Sequence, residues 1–254
     1  MARIERKRII NGDALKTIEE LETESFDALV MDPPYCSGGI TPAMTAGGGL
    51  RKYVETVRNG SFADSMSQYA LYTFRKYIID EARRVLKSPG YIFVFTDWRS
   101  LPVMSSAMQA GGAIWRGLVT WNKGTCRPNP GHISQTSEFL LWGTKDDAKT
   151  AKFVTNSVWS YPAPPCSKRI HPTQKPVEIY EEIVKILPDN PRVLDLFCGS
   201  APAGVATVSA GGFYVGVDNS AAYCEKSAER IDAEARFLFL DDELDDAPGD
   251  AANE

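Results

Sequence analysis

The chain has 254 residues, 43% of them hydrophobic and 24% charged, a composition typical of a globular domain that excludes fibrous and low-complexity chains. It contains no apolar run approaching the roughly 20 residues of a membrane span and no signal-peptide core, so we expect no membrane partner and a cytoplasmic location. Five scattered cysteines without a C-x-x-C pair and two distant histidines argue for reduced thiols and against a metal site.

The net charge of −5 is unevenly distributed along the chain. Residues 241–254 carry seven acids and no base, which predicts an acidic, disordered tail. Between Arg116 and Lys175 there are nine basic and three acidic residues. Four aromatic residues are interspersed there: Trp121, Trp142, Trp159 and Tyr161. This stretch predicts a surface that meets phosphates and bases, although a solvated basic face would have the same composition.

Predicted strands and helices alternate along the chain. Short apolar runs predict strands at 7–10, 26–31, 91–95, 117–121, 138–142, 192–197 and 213–218. Helical periodicity predicts helices at 14–21, 68–86, 101–110, 177–187 and 221–235, and a run of small residues predicts one that follows the turn 198–204 and ends at about 210. The alternation predicts a single α/β domain over residues 1–240, with a mainly parallel, doubly wound sheet.

Three stretches have no clear period. A glycine-rich segment from Tyr35 to about Gly60 predicts a long loop, either a lid over a neighbouring site or an irregular surface loop. Residues 122–137 and 145–169 are also irregular and rich in proline, glycine or asparagine.

Asp32-Pro33-Pro34-Tyr35 directly follows the predicted strand 26–31, where a parallel sheet opens its ligand crevice. The two prolines make the backbone stiff and rich in free carbonyl acceptors. Asp32 adds a carboxylate and Tyr35 a flat face. These groups suit a planar ligand with an exocyclic amine, such as a nucleobase, although a plain Pro-Pro turn would have the same sequence.

Five acids stand at or just after the ends of predicted strands: Asp13, Asp32, Asp97, Asp195 and Asp218. The last two flank a glycine-bearing turn at the spacing of about 20 residues typical of nucleoside binding, in which the second acid takes ribose hydroxyls. The turn lacks the G-x-G-x-x-G fingerprint and offers only Gly199 and Gly204. A nucleoside cofactor without phosphate, S-adenosylmethionine, therefore fits better than NAD, although a packing turn would look similar.

Taken together, these motifs resemble the permuted β-class of amino-methylating DNA methyltransferases. Asp32-Pro33-Pro34-Tyr35 matches the catalytic signature of that class, and His171-Pro172-Thr173-Gln174-Lys175-Pro176 matches the motif preceding its cofactor loop. Asp195-Leu196-Phe197-Cys198-Gly199-Ser200 matches the first half of that loop, and Asn11-Gly12-Asp13 lies where the class has Gly-Asp. The order of these motifs implies a circularly permuted Rossmann-like methyltransferase fold, with a small irregular DNA-recognition insertion at about 122–170.

The resemblance implies transfer of a methyl group from S-adenosylmethionine to the N6 amine of an adenine flipped out of double-stranded DNA. The implied catalytic residues are Asp32, Pro33, Pro34 and Tyr35. The implied cofactor-binding residues are Asp13, Thr173, Lys175, Asp195, Phe197, Gly199, Ser200 and Asp218. Among these, Thr173 and Lys175 are expected to hold the methionine carboxylate at the start of the helix that begins near Pro176.

Two departures from the class and two alternatives accompany this interpretation. Ser200-Ala201-Pro202-Ala203 replaces the usual Ser-Gly-Thr-Thr, which predicts weaker cofactor binding. The short recognition stretch predicts that the DNA sequence it recognises is short or degenerate. N4-cytosine methylation is the nearest alternative, and the aspartate at the first motif position favours adenine. A catalytically silent DNA-binding relative is an alternative of another class, and a homodimer is left open.

Overall fold

The computed structural model describes residues 6–35, 68–124, 130–147, 153–165, 167, 169–170 and 173–245. The described strands are β1 Lys7–Asn11, β2 Phe26–Met31, β3 Leu86–Thr96, β4 Ile114–Asn122, β5 Ser137–Thr144, β6 Val158–Ser160, β7 Arg192–Asp195 and β8 Phe213–Asp218. The described helices are α1 Ala14–Glu20, α2 Gln68–Val85, α3 Leu101–Ala110, α4 Val177–Val184, α5 Pro202–Ser209 and α6 Ala221–Asp245.

The described strands form one sheet in the order β1-β8-β7-β2-β3-β5-β4-β6. Neighbours from β1 to β3 are all parallel, whereas β5 is antiparallel to both β3 and β4, and β6 is parallel to β4. The predicted mainly parallel sheet is therefore confirmed. Because β5 runs opposite to its neighbours, its first residues lie at the edge where the parallel strands end.

Both faces of the sheet are covered by helices. On β2, Ala28 and Val30 are buried in the apolar layer that includes residues of α4, α5 and α6. Leu29 and Met31 are buried in the opposite layer, against α1, α2 and α3. Such two-sided burial explains why the central strands read as continuous apolar runs, and it confirms the doubly wound α/β class.

Several boundaries differ from the prediction. Pro89-Gly90 was expected to separate a helix from a strand, but β3 begins at Leu86, directly after α2. The partners of β2 step from Leu86 to Tyr91, so the proline and glycine lie in a bulge, where a missing N–H is tolerated. β6 lies in a stretch predicted to be irregular, and its three residues are too few to show a period.

The last helix extends past its predicted end at residue 235 to Asp245, and so enters the segment expected to be a disordered tail. Residues 246–254 of that tail lie outside the described residues, and so do residues 36–67, which contain the predicted lid. None of the helices in the described parts of the chain is both long enough and apolar enough to span a bilayer.

Candidate active site

A cavity of about 380 Å³ opens at the edge of the sheet where β1, β2, β7 and β8 end. This volume is within the range of roughly 300–1,000 Å³ that is usual for small-molecule sites. The twelve residues predicted to act in catalysis or cofactor binding all line it: Asp13, Asp32, Pro33, Pro34, Tyr35, Thr173, Lys175, Asp195, Phe197, Gly199, Ser200 and Asp218. Parallel strands bring these positions together because their carboxyl ends share one edge of the sheet.

Asp97 is the one strand-end acid that is not among the residues lining this cavity. It follows β3, and its carboxylate accepts a hydrogen bond from the Ser100 backbone N–H (2.9 Å) at the start of α3. Its role in the described structure is to begin a helix.

Asp195 shapes the turn between β7 and α5. Its two carboxylate oxygens accept hydrogen bonds from the Phe197 N–H and the Tyr214 hydroxyl, each at 3.0 Å. The side chain is buried, and burial raises its pKa to about 7, because the loss of hydration outweighs the two hydrogen bonds that favour the charged form. Asp195 thus binds a proton more tightly in the folded chain than in the unfolded one.

This pKa predicts how Asp195→Asn changes the pH dependence of stability. The raised folded-state pKa gives a stabilising contribution that is complete below about pH 4 and is lost as pH rises through about 7. The free energy of unfolding of the wild type should therefore fall relative to that of D195N by up to about 4 kcal/mol between pH 4 and pH 8. Urea unfolding at both pH values measures this difference, and a constant difference between the two proteins would contradict it.

Asp218 connects β8 to the same turn. One of its carboxylate oxygens accepts a hydrogen bond from the Gly199 N–H (3.0 Å), and the other accepts one from the Ser220 N–H (2.8 Å). Gly199 has a φ of 52°, in the left-handed region that glycine adopts without strain. Asp218 therefore fixes the glycine turn and presents its carboxylate to the cavity.

Asp13 also has a structural contact. Its carboxylate accepts hydrogen bonds from the backbone N–H groups of Leu15 (3.0 Å) and Lys16 (3.1 Å), and so it is the N-cap of α1. The expected contact of Asp13 with a cofactor adenine stays a prediction.

The turn at Ser200-Ala201-Pro202 departs from the methyltransferase class at a position with an unusual backbone conformation. Ala201 has a φ of 49°, in the left-handed region, where the class has a glycine. An alanine there stores strain of about 1 kcal/mol. Pro202 takes the first helical position of α5, which suits its fixed φ and missing N–H. Ser200 and Pro202 line the cavity, and the weaker cofactor binding expected from this departure stays a prediction.

The half of the cavity that contains Asp32 and Tyr35 is a compact cluster of four polar side chains. The Tyr35 hydroxyl lies 2.7 Å from Asp32 Oδ1 and 3.2 Å from Glu138 Oε2. The Lys175 ammonium donates to Asp32 Oδ2 and lies 3.0 Å from the Tyr35 hydroxyl and 3.4 Å from Glu138 Oε2. Burial and the two neighbouring carboxylates raise the pKa of Tyr35 well above its ordinary value.

The backbone of the Asp32-Pro33-Pro34-Tyr35 motif is anchored from two helices. The Pro34 carbonyl accepts a hydrogen bond from the guanidinium of Arg75 on α2 (3.1 Å), and the Tyr35 carbonyl accepts one from the Ser100 hydroxyl (2.5 Å). Arg75 is fully buried. These contacts hold the motif rigidly at the end of β2.

Sequence reasoning missed three features of this half of the cavity. Arg75 lies at helical spacing from the apolar residues Leu71 and Ile78. A charged residue on the apolar face of the predicted helix was the sequence feature that could have revealed it. Glu138 is the second residue of β5, and the antiparallel direction of β5 brings it to this edge of the sheet. Lys175 was expected in this cavity, but not its contact with Asp32, to which its ammonium donates; its expected contact with the cofactor carboxylate stays a prediction. His171 and Pro172, from the same motif, lie outside the described residues.

The predicted nucleic-acid surface between Arg116 and Lys175 is corrected in one respect. Trp121 and Trp159 are buried in the apolar core, and the Trp121 indole donates to the Tyr161 carbonyl (2.7 Å), so these tryptophans do not form an exposed base-stacking face. Their position on paired β4 and β6 explains the burial.

Several basic residues of that stretch bind acids of the same chain. These pairs are Arg116–Asp147, Lys123–Glu138, Lys145–Glu24 and Lys175–Asp32. Other residues of the predicted recognition segment, including 125–129 and 148–152, lie outside the described residues, so a DNA-binding role for this segment stays a prediction.

A family model described as DNA methylase matches residues 26–229, which is more than half of the chain. Among curated relatives, the type II methyltransferase M2.LlaDCHI of Lactococcus lactis subsp. cremoris is 27% identical over 250 residues. The match covers 90% of this chain and 90% of the relative.

Two solved structures extend the comparison to the fold. The PvuII DNA methyltransferase (cytosine-N4-specific) has a TM-score of 0.70 at 13% identity and covers 92% of this chain and 93% of that one. The complex of M1.HpyAVI with SAM has a TM-score of 0.60 at 20% identity, with 88% of this chain and 99% of that one covered. At these identities the similarity shows a common Rossmann-like fold.

Proposed function

This chain belongs to the N6/N4 DNA methylase family, and on that premise we propose that it transfers a methyl group from S-adenosylmethionine to the N6 amine of adenine in DNA. One observation carries the proposal. Asp32 and Tyr35 line the same cavity as Asp195 and Asp218. Group transfer needs the nucleophile and the donor held within contact distance, and a shared cavity supports that requirement.

The cofactor half of the cavity fits S-adenosylmethionine better than a phosphate-bearing cofactor. Its strand-end side chains are the carboxyl groups of Asp13, Asp195 and Asp218, which can accept hydrogen bonds from ribose hydroxyls and offer no positive charge to a pyrophosphate. The left-handed Gly199 lets the backbone approach a ligand closely. When bound, S-adenosylmethionine supplies an electrophilic methyl group on a sulfonium.

Asp32 and Pro33 act on the target amine. The N6 lone pair of adenine is delocalised into the ring, so the amine is a poor nucleophile. Hydrogen bonds from the amine to the Asp32 carboxylate and the Pro33 carbonyl favour a tetrahedral nitrogen. As the nitrogen–methyl bond forms and the sulfur keeps the electron pair of the broken bond, positive charge develops on nitrogen next to Asp32, which stabilises it. The methylated amine then releases its extra proton to water.

Tyr35 is the proposed stacking partner of the target base. An amine inside a duplex is out of reach of this cavity, so the base must first be extruded and then stacked on an aromatic ring. Tyr35 is partly buried beside Asp32, which supports stacking next to the group that binds the amine.

Product analysis tests the proposal. Purified protein is incubated with S-adenosylmethionine and unmethylated DNA, and the DNA is digested to nucleosides and separated. We expect N6-methyladenine. N4-methylcytosine would overturn the choice of base while keeping the methylase assignment. Absence of any methylated nucleoside, with DNA binding retained, would favour the catalytically silent alternative.

A further inference from the structure

We propose that Lys175 is a positioning residue, itself held in place by Glu138, that turns one oxygen of Asp32 toward the target amine. The inference rests on the proposed function, because it assigns a task to the group that would bind the amine. It gives Lys175 a different role from the one expected from the sequence, in which its ammonium would hold the cofactor carboxylate.

The contacts of Lys175 leave its ammonium little freedom. It donates to Asp32 Oδ2 and lies 3.0 Å from the Tyr35 hydroxyl and 3.4 Å from Glu138 Oε2. The side chain is only 3% exposed. The ring of Phe95 lies 4.7 Å from Nζ, so an aromatic wall adds a cation–π contact. To reach another ligand, the ammonium would have to leave a partnered, desolvated position, which is strongly unfavourable.

Glu138 completes the charge balance of the cluster. Oε1 of Glu138 lies 3.1 Å from the Lys123 ammonium. The cluster therefore contains the carboxylates of Asp32 and Glu138 and the ammonium groups of Lys175 and Lys123. Burial lowers the pKa of Lys175, but the carboxylates of Asp32 and Glu138 outweigh it and raise that pKa above its ordinary value. Burial likewise raises the pKa of Glu138, but Lys175 and Lys123 outweigh it and lower that pKa. Both groups therefore stay charged at neutral pH.

This arrangement decides which oxygen of Asp32 serves the amine. Oδ2 is bound by the buried Lys175 ammonium, whereas Oδ1 is bound by the hydroxyl of Tyr35. Tyr35 must turn onto the extruded base in order to stack, and its departure opens Oδ1. Lys175 then stays behind and prevents the carboxylate from rotating.

The first test measures charge pairing without catalysis. Lys175→Met keeps the apolar stem and removes the charge, which leaves Asp32 and Glu138 facing each other. Like charges raise the pKa of such a pair in the folded state, so the unfolding free energy of K175M should fall relative to wild type as pH rises from 5 to 8. Tyr35, Tyr180, Asp195 and Lys123 also face the cluster, and they are present in both proteins.

Two further variants sharpen this comparison. K175M/E138Q removes one of the two facing carboxylates, so the extra pH dependence should largely disappear. Lys226→Met is the control, because Lys226 is an exposed lysine on α6, and its loss should leave the pH profile unchanged. A K175M profile parallel to wild type would overturn the inference.

The second test separates positioning from cofactor binding. With DNA as substrate, K175M should lower kcat by about 100-fold, leave KM for S-adenosylmethionine within about twofold and move the acid limb of the kcat profile to higher pH. K175M/E138Q should move that limb back. A large rise in the cofactor KM with kcat retained would overturn the proposal and return Lys175 to the cofactor carboxylate.

The two tests also distinguish this inference from the proposed function. If the wild type makes no methylated nucleoside, the proposed function fails, while the unfolding profiles still report on the charge cluster. If K175M does not fold, E138Q supplies the answer, because the amide keeps the shape of Glu138 and leaves Lys175 paired with Asp32 alone. The acid limb of E138Q should then lie at or below that of wild type, and a shift to higher pH would contradict the proposal.

Discussion

Asp32→Ala is expected to lower the rate of methyl transfer by about 1,000-fold. The substitution removes the carboxylate that binds the amine and stabilises its developing positive charge, and the loss of one preorganised electrostatic group of this kind typically costs about 100- to 1,000-fold. Asp32→Asn keeps an oxygen acceptor without the negative charge, so its loss should be smaller. Single-turnover transfer of a labelled methyl group to DNA measures both rates.

Two controls accompany the Asp32 variants. Asp232→Ala removes a half-exposed acid on α6 that pairs with Lys7, and it should keep the transfer rate within a few-fold of wild type. Thermal unfolding of D32A shows whether the fold survives, since Lys175 keeps Glu138 as a partner. Comparable rates for folded D32A and wild type would contradict the catalytic role of Asp32.

Asp218→Ala is expected to weaken S-adenosylmethionine binding by about 100-fold. The carboxylate accepts hydrogen bonds from the Gly199 and Ser220 N–H groups, and it is the proposed acceptor for ribose hydroxyls. A hydrogen bond to a charged group contributes about 1.5–3 kcal/mol, and about 2.8 kcal/mol corresponds to 100-fold in affinity. Isothermal titration calorimetry on the protein without DNA measures the dissociation constant.

A surface acid provides the comparison for Asp218. Asp232 on α6 is half-exposed and pairs with Lys7, so Asp232→Ala should leave the affinity unchanged. Equal affinities of D218A and wild type would show that Asp218 only shapes the turn. A loss of affinity in D232A as large as that in D218A would point to a general loss of structure.

The two halves of the cavity were predictable to different degrees. Asp195, Gly199 and Asp218 form a local unit, since the turn and the next strand end lie within one strand–helix–strand repeat. Lys175 and Glu138 belong to distant segments that meet Asp32 only in the folded sheet. Spacing along the chain predicts contacts within such a local unit, but it predicts almost nothing about contacts between distant segments.

Burial of the aromatic residues was equally hard to predict. Trp121 and Trp159 stand in a stretch rich in basic residues, which favoured an exposed face. The pairing of β4 with β6 instead packs both against the core. A three-residue strand such as β6 has too little sequence to show its periodicity, so its presence depends on the neighbour that it pairs with.

By itself the sequence determined the doubly wound class of this protein and the edge of the sheet that carries its site, because apolar periodicity specifies strands and helices, and parallel strands bring their ends together. Only the tertiary structure decided that β5 runs antiparallel, that Glu138 therefore joins Asp32, and that the Lys175 ammonium lies between them. Strand direction and the partner of a buried charge depend on the packing of the whole chain. A desolvated charge is stabilised by the opposite charge that the fold places next to it.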